Sequence, residues 1–295
     1  MPHSDITSVL KHIDSFPPLP STVIRVLEIT GNPESSAHEL MHAILPDQSM
    51  CVAILKITNS AFYGRPRKVS SIEEAVVVLG FQEIRNIILT QAVFTSFRKS
   101  SSTKKHDIDG LWLHSLTCGL AAKIIATHTS GYSPSQLFIA GLIHDIGRLI
   151  LLTNYPNYYS PVAELSEHLQ LSLSSEEKAT FGISHDKIGM RLLNRWLFPE
   201  QLCASTGYHH HPGTTPTNID FSLIIQMADI VSHSVHSTEA IKGQDILDLI
   251  KRFRPESILL WSRYNFHWQE EDIDKWLTDL RSDLANGTLL NIFND

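Results

Sequence analysis

Apolar residues recur along this chain at the three-and-four spacing of helices, and no run of alternating strands separated by turn pairs is visible. After a rigid entry segment, Phe16-Pro17-Pro18-Leu19-Pro20, in which each proline fixes φ and biases its predecessor toward extended geometry, Val23, Ile24 and Leu27 fall at helical spacing. Short helices are predicted over 36–44 and 49–58, the second carrying Val52, Leu55 and Ile57. Asn59-Ser60-Ala61-Phe62-Tyr63-Gly64 ends that element, with Gly64 as the chain reversal and Asn59 and Ser60 suited to capping orphan backbone groups. Ser71-Ile72-Glu73-Glu74 has the form of a capping box, with Ser70 or Ser71 as N-cap. It leads into 75–79 and then a long apolar helix over 82–97, within which Ile87 to Val93 resembles a strand in composition but not in length.

The polar stretch 98–109 marks a boundary. Beyond it, helices are predicted near 110–128, 134–152, 155–170, 175–180, 184–197, 199–209, 219–236, 243–252 and 270–285, the last with Ile273, Trp276, Leu277, Leu280 and Leu284 on one face. The fold class read from this pattern is all-α, with a helical part over 1–98, a linker over 99–109 and a larger helical domain with a C-terminal extension over 110–295. Trp261, Tyr264, Phe266, Trp268 and Trp276 in that extension read as a cover for the core.

A chain of 295 residues with 42% hydrophobic and 19% charged residues has the make-up of a soluble globular protein able to bury a large core. No apolar run approaches the roughly 18–20 residues of a membrane span, and Met1-Pro2-His3-Ser4-Asp5 does not open a signal peptide. Cys51, Cys118 and Cys203 are far apart and odd in number, and read as reduced structural thiols of a cytoplasmic protein. A net charge of -7 argues against a nucleic-acid surface. The basic cluster of Arg98-Lys99 and Lys104-Lys105 reads as a solvated linker. The expected partners therefore include neither nucleic acid nor membrane.

Histidine is the unusual residue, with 16 spread over separate helical segments rather than in one tract. The segment Gly141-Leu142-Ile143-His144-Asp145-Ile146-Gly147-Arg148 sets a His-Asp pair inside an apolar run, where a carboxylate is costly to bury unless something pairs with it. His114 lies in Leu111-Trp112-Leu113-His114-Ser115-Leu116, His185 opens a helix, and His209-His210-His211-Pro212 ends one. Asp229 lies in the apolar Ile225-Gln226-Met227-Ala228-Asp229-Ile230-Val231. A lone buried histidine is usually a hydrogen-bonded core residue. An aspartate in an apolar helix must instead be paired, protonated or bound to metal. Two such carboxylates with several helix-borne imidazoles point to a divalent transition metal suited to mixed N/O ligands: Fe, Mn, Zn or Ni.

Pro17-Pro18-Leu19-Pro20, Ile44-Leu45-Pro46-Asp47, the stretch from Leu55 to Gly64, Ser71-Ile72-Glu73-Glu74-Ala75 with Leu79-Gly80, Trp112-Leu113-His114-Ser115, Ala140 to Gly147 and Tyr208-His209-His210-His211-Pro212 together resemble an HDOD domain, a branch of the HD superfamily of bacterial signalling modules. The likeness covers about residues 9–215, with Pro46-Asp47 standing where the family usually has Asp-Pro. It implies an N-terminal helical subdomain packed on an HD-like bundle. It also implies metal ligands in the order H…HD…D: His114, then His144 and Asp145, then Asp229. His185, His209 and His210 match positions where binuclear members add ligands, so one or two ions are implied. Relatives of the HD-GYP type, which hydrolyse cyclic di-GMP, have Lys where this chain has Arg148, and their Gly-Tyr-Pro loop is replaced by Pro212-Gly213-Thr214-Thr215-Pro216. That activity is therefore not expected.

Two functions follow from the resemblance. The first is a signal-transduction module that binds a signalling partner protein or a small nucleotide. The alternative is a metal-dependent phosphohydrolase acting on a nucleotide or phosphodiester. In that case Asp145 holds the metal that activates water, and Arg148 or Lys187 contacts the substrate phosphate. No Gly-rich phosphate loop and no Ser-His-Asp or Cys-His arrangement is present.

Overall fold

The structure is a computed structural model that describes residues 6–16, 18–60, 63, 67–98, 105–169, 172–235 and 241–285. It is all-α, with no strand among the described residues. The helices are α1 (Ile6–Ser15), α2 (Ser21–Gly31), α3 (Ala37–Ile44), α4 (Gln48–Thr58), α5 (Ile72–Arg98), α6 (Lys105–Thr127), α7 (Pro134–Ile143) and α8 (Ile146–Asn154). They continue as α9 (Pro156–Leu169), α10 (Leu173–Phe181), α11 (His185–Arg195), α12 (Glu200–Tyr208), α13 (Ile219–Val235), α14 (Gly243–Phe253), α15 (Pro255–Arg263) and α16 (Glu270–Ala285). A 3-10 turn, Pro212–Thr214, lies between α12 and α13.

The chain divides into two compact units, one of Met1–Phe16 with Ser100–Arg281 and one of Pro17–Lys99 with Ser282–Asp295. Of the polar stretch 99–109, residues 99–104, and with them Lys99 and Lys104 of the basic cluster, lie outside the described residues, and the chain is helical from Lys105.

In the unit of Pro17–Lys99, α2 to α5 bury Val23, Val26, Leu40, Ile44, Ile54, Ile84 and Ile88. Ser36 caps α3 in a reciprocal box with Glu39. Asn59 accepts from the Val69 amide at 2.7 Å and donates to the Leu55 and Val69 carbonyls, so it ties the end of α4 to the segment that leads into α5. The segments predicted over 75–79 and 82–97 meet in α5 at a kink at Gly80, whose φ of 81° is open only to glycine at low cost.

The other unit contains the site. Its core is α6, flanked by α7 and α13, with α12, α11 and α8 following in contact one upon the next. Residues Leu137 to Ile143 of α7 are all buried. A β-carbon at Gly141 would stand 2.7 Å from the Cys118 carbonyl oxygen, so the absence of a side chain there lets α7 touch the backbone of α6. The helix α1, which the hydrophobic pattern did not predict, lies on α11: Arg191 binds the Asp14 carboxylate at 2.9 Å, and Arg195 donates to the Ile13 and Phe16 carbonyls. Trp261, Phe266, Trp268 and Trp276 are buried, with Phe266 and Trp268 stacked at 4.5 Å between centroids.

Two expectations need correction. The predicted helix 134–152 is broken at His144 and Asp145 into α7 and α8. The His144 ring takes the Gly141 carbonyl at 2.7 Å, the acceptor that the amide of residue 145 would use in a continuous helix. Second, two stretches, Ile72–Thr95 and Pro134–Asn154, are long and apolar enough to cross a membrane by length and composition, although no run of consecutive apolar residues suggested it. In Pro134–Asn154, 83% of the apolar window is buried inside the protein, which accounts for its composition as core.

Candidate metal centre

His144 and Asp145 occupy the break between α7 and α8. Asp145 stands at the N-cap of α8, where an aspartate ordinarily bonds the first free amides of the helix, yet its carboxylate makes no such bond. It turns instead toward imidazoles: Oδ1 lies 3.2 Å from His185 Nε2, 3.5 Å from His144 Nε2 and 3.7 Å from His209 Nε2. Its other oxygen, Oδ2, is 3.7 Å from His114 Nε2 and accepts from Arg148 Nη1 at 2.8 Å. Asp229, from the interior of α13, brings Oδ1 to 3.2 Å from His114 Nε2 and 3.6 Å from His144 Nε2. His210 Nε2 reaches His185 Nε2 at 2.9 Å.

The structure thus gathers His114, His144, Asp145, His185, His209, His210 and Asp229 at one place. Three overlapping sets have donor atoms mutually within 4.8 Å: His185 with His209 and His210, His114 with His144 and Asp229, and His144 with Asp145 and His209. Ligands about 2.1 Å from one tetrahedral ion stand about 3.4 Å apart, and the separations above match that spacing.

The orientation of the rings is as informative as their distance. His144 Nδ1 donates to the Gly141 carbonyl, and His209 Nδ1 to the Thr206 carbonyl at 2.9 Å. His185 Nδ1 donates to Glu177 at 2.6 Å. The Ser232 hydroxyl donates to the Asp229 carbonyl at 2.8 Å, so its oxygen is the acceptor for His114 Nδ1 at 3.4 Å. Each of these four rings is therefore anchored through Nδ1, which assigns the lone pair of the neutral ring to the inward Nε2. Nε2 of His114, His144 and His209, together with Asp229 Oδ1, is buried without a hydrogen-bond partner. Buried polar atoms are nearly always satisfied. These four orphans belong to the overlapping sets above and fit a metal centre of one or two ions.

The charges agree. Burial opposes ionisation of Asp145, but His144, Arg148 and His185 outweigh it and hold the carboxyl well below its ordinary range. Asp229 is held well down against burial by His233, His114 and His144. Burial pushes His209 down to about 4, helped by the charge of His144. Burial also lowers His114 and His210. Burial works against charge on His185 too, but Glu177 and Asp145 prevail and raise it to about 10.

Arg148 and Lys187 sit differently. Arg148 is held by Asp145 and by the Tyr159 hydroxyl, at 3.2 Å from Nε. Lys187 donates to the Gly207 carbonyl at 2.6 Å and lies over the Tyr208 ring, so its ammonium is tied to the end of α12. Three residues of this neighbourhood were not read from the sequence. Glu177 and Tyr159 are fully buried behind His185 and Arg148. His233 Nε2 stands 3.4 Å from Asp229 Oδ1 on the solvent side, four residues after Asp229, a spacing that puts both on one helix face.

A family model described as HDOD domain matches residues 16–212, more than half of the chain. An HDOD domain protein with unknown function from Geobacter sulfurreducens is 25% identical, with a TM-score of 0.74 over 95% of this chain and 94% of its own. Two further crystal structures share the fold at lower identity. One is a candidate signal transduction protein from Marinobacter aquaeolei VT8, 18% identical, TM-score 0.69, covering 98% of this chain and 66% of that one. The other is a candidate metal-dependent phosphohydrolase from Shewanella amazonensis SB2B, 23% identical, TM-score 0.60, covering 92% of this chain and 97% of that one. An uncharacterized curated relative from Treponema pallidum is 23% identical over 69% of this chain, and the chain spans only 39% of that relative's length.

Proposed function

The chain belongs to the HDOD family, and from that premise we propose that it is a bacterial regulatory module of the cytoplasm. Its HD-like site holds a divalent transition metal (Fe, Mn, Zn or Ni), and the module answers to a signalling partner protein or a small nucleotide. The observation that carries the metal is the set of inward, unpartnered atoms on His114, His144, His209 and Asp229. His114, His144 and Asp229 would hold one ion and His185, His209 and His210 a second, with Asp145 between them. When bound, such an ion lowers the pKa of a coordinated water and neutralises charge on phosphoryl oxygens.

A binding role is favoured over turnover by the state of the two cations that a phosphate would meet. Arg148 is engaged by Asp145 and Tyr159, and Lys187 by the Gly207 carbonyl. The phosphohydrolase reading keeps its place because all seven ligand candidates are present together. The two are separated by exposing metal-loaded protein to a panel of nucleotides and cyclic dinucleotides, with binding and product formation measured side by side. The module reading predicts binding without product. Turnover that disappears in Asp145→Asn would establish the hydrolase instead.

A further inference from the structure

Glu177 has no exposed surface, and both of its carboxylate oxygens are committed. Oε2 accepts from the His185 ring at Nδ1, 2.6 Å away, and from the His185 backbone amide at 2.7 Å. That amide opens α11 and would otherwise be an orphan of the helix start. Oε1 accepts from the Tyr159 hydroxyl at 2.9 Å. The same hydroxyl receives Arg148 Nε at 3.2 Å, and Arg148 Nη1 binds Asp145 Oδ2 at 2.8 Å. Asp145 Oδ1 faces His185 Nε2 at 3.2 Å. The five side chains form a closed circuit: Asp145, Arg148, Tyr159, Glu177, His185 and back to Asp145.

We propose that Glu177 is the positioning residue of His185, and that the circuit through Tyr159 and Arg148 couples the placement of His185 to that of Asp145. The proposal rests on the metal-site reading above. Glu177 grips both the ring and the backbone of His185, so rotation of the imidazole about either side-chain torsion breaks a charge-assisted bond. Holding the proton on Nδ1 presents the Nε2 lone pair to an ion and raises the basicity of the ligand, the general role of a carboxylate behind a ligating histidine. Arg148 supplies the positive charge between the two buried carboxylates. In this account it is a strut of the site, which explains why its guanidinium points along the circuit.

The test is calorimetric titration of the full metal-free chain with zinc(II), comparing wild type, His185→Ala, Glu177→Gln and Glu177→Asp. The expected result is that the binding step weakened by His185→Ala is weakened about 10- to 100-fold by Glu177→Gln, with partial recovery in Glu177→Asp, which keeps the carboxylate. Wild-type affinity for that step in Glu177→Gln would overturn the positioning role while leaving the metal site intact. A wild-type chain that takes up neither zinc nor, in repeat titrations, Fe, Mn or Ni would overturn the metal reading and this proposal with it. Loss of no step in His185→Ala would remove His185 as a ligand and sink the proposal alone. If Glu177→Gln does not fold, nitrogen NMR of the histidine rings in zinc-loaded wild type decides the matter. Protonated Nδ1 and zinc-bound Nε2 on His185 are expected, and coordination through Nδ1 would contradict the account.

Discussion

Gly147 lies directly against the backbone of His185: a β-carbon at Gly147 would overlap the His185 carbonyl oxygen and stand 2.7 Å from its carbonyl carbon. This is where α8 meets α11, two residues after Asp145, and it sets the 3.2 Å approach of Asp145 Oδ1 to His185 Nε2. Gly147→Ala must push the two helices apart. Overpacking of this kind costs about 1–3 kcal/mol or more. Thermal unfolding of the metal-free chain should shift down accordingly, and an unchanged melting temperature would show that the helices are not held at this distance.

Asp145 is the common partner of Arg148 and of the histidines. Removing its charge leaves buried cations uncompensated, a change worth about 3–5 kcal/mol when one partner of a buried pair is deleted. Asp145→Asn, which keeps the shape, should lower the unfolding free energy of the metal-free protein by that order, read as a lower urea midpoint. A midpoint equal to wild type would mean that Arg148 and the histidines find other partners.

The metal-free site should also respond to pH with a definite sign. His185 is raised from 6.5 to about 10, burial opposing and Glu177 and Asp145 prevailing. A raised folded-state value stabilises fully below the unfolded value, and this contribution is lost as pH climbs through the folded one. His185 therefore supports the metal-free fold below about pH 6.5 and loses that support toward pH 10. An ion at Nε2 must displace this proton. Zinc titrations at about pH 8 in buffers of different ionisation enthalpy should therefore show proton release. His144, which burial opposes but Asp145 raises well above its ordinary value, contributes to it beside His185, and the release falls in His185→Ala. Zinc heats that do not depend on the buffer would exclude His185 as a protonated ligand.

Much of the helical order is legible because one-sided burial leaves a three-and-four pattern, as in α14 and α16. The break at His144 and Asp145 is not, since it arises from a ring-to-carbonyl bond that leaves the apolar spacing on either side unchanged. The helices α1 and α15 escaped notice because each buries few residues: Val9 and Ile13 in one, Ser257 and Trp261 in the other. At the site, Asp145 and Asp229 are visible because a carboxylate in an apolar helix demands a partner. The grouping of the five histidines around them came from the family pattern, not from spacing. Glu177 gave no signal: Ser174-Ser175-Glu176-Glu177-Lys178 reads as a solvated helix face. It is buried only because the short turn through Gly182, with φ of 74°, folds α10 back on the start of α11.

The most direct measurement is the metal content of protein purified without a histidine tag and without chelator, read by elemental mass spectrometry. The account predicts one or two equivalents of a transition metal per chain, lost in Asp145→Asn. A chain that carries no metal, and takes none up on reconstitution with Fe, Mn, Zn or Ni, would contradict it.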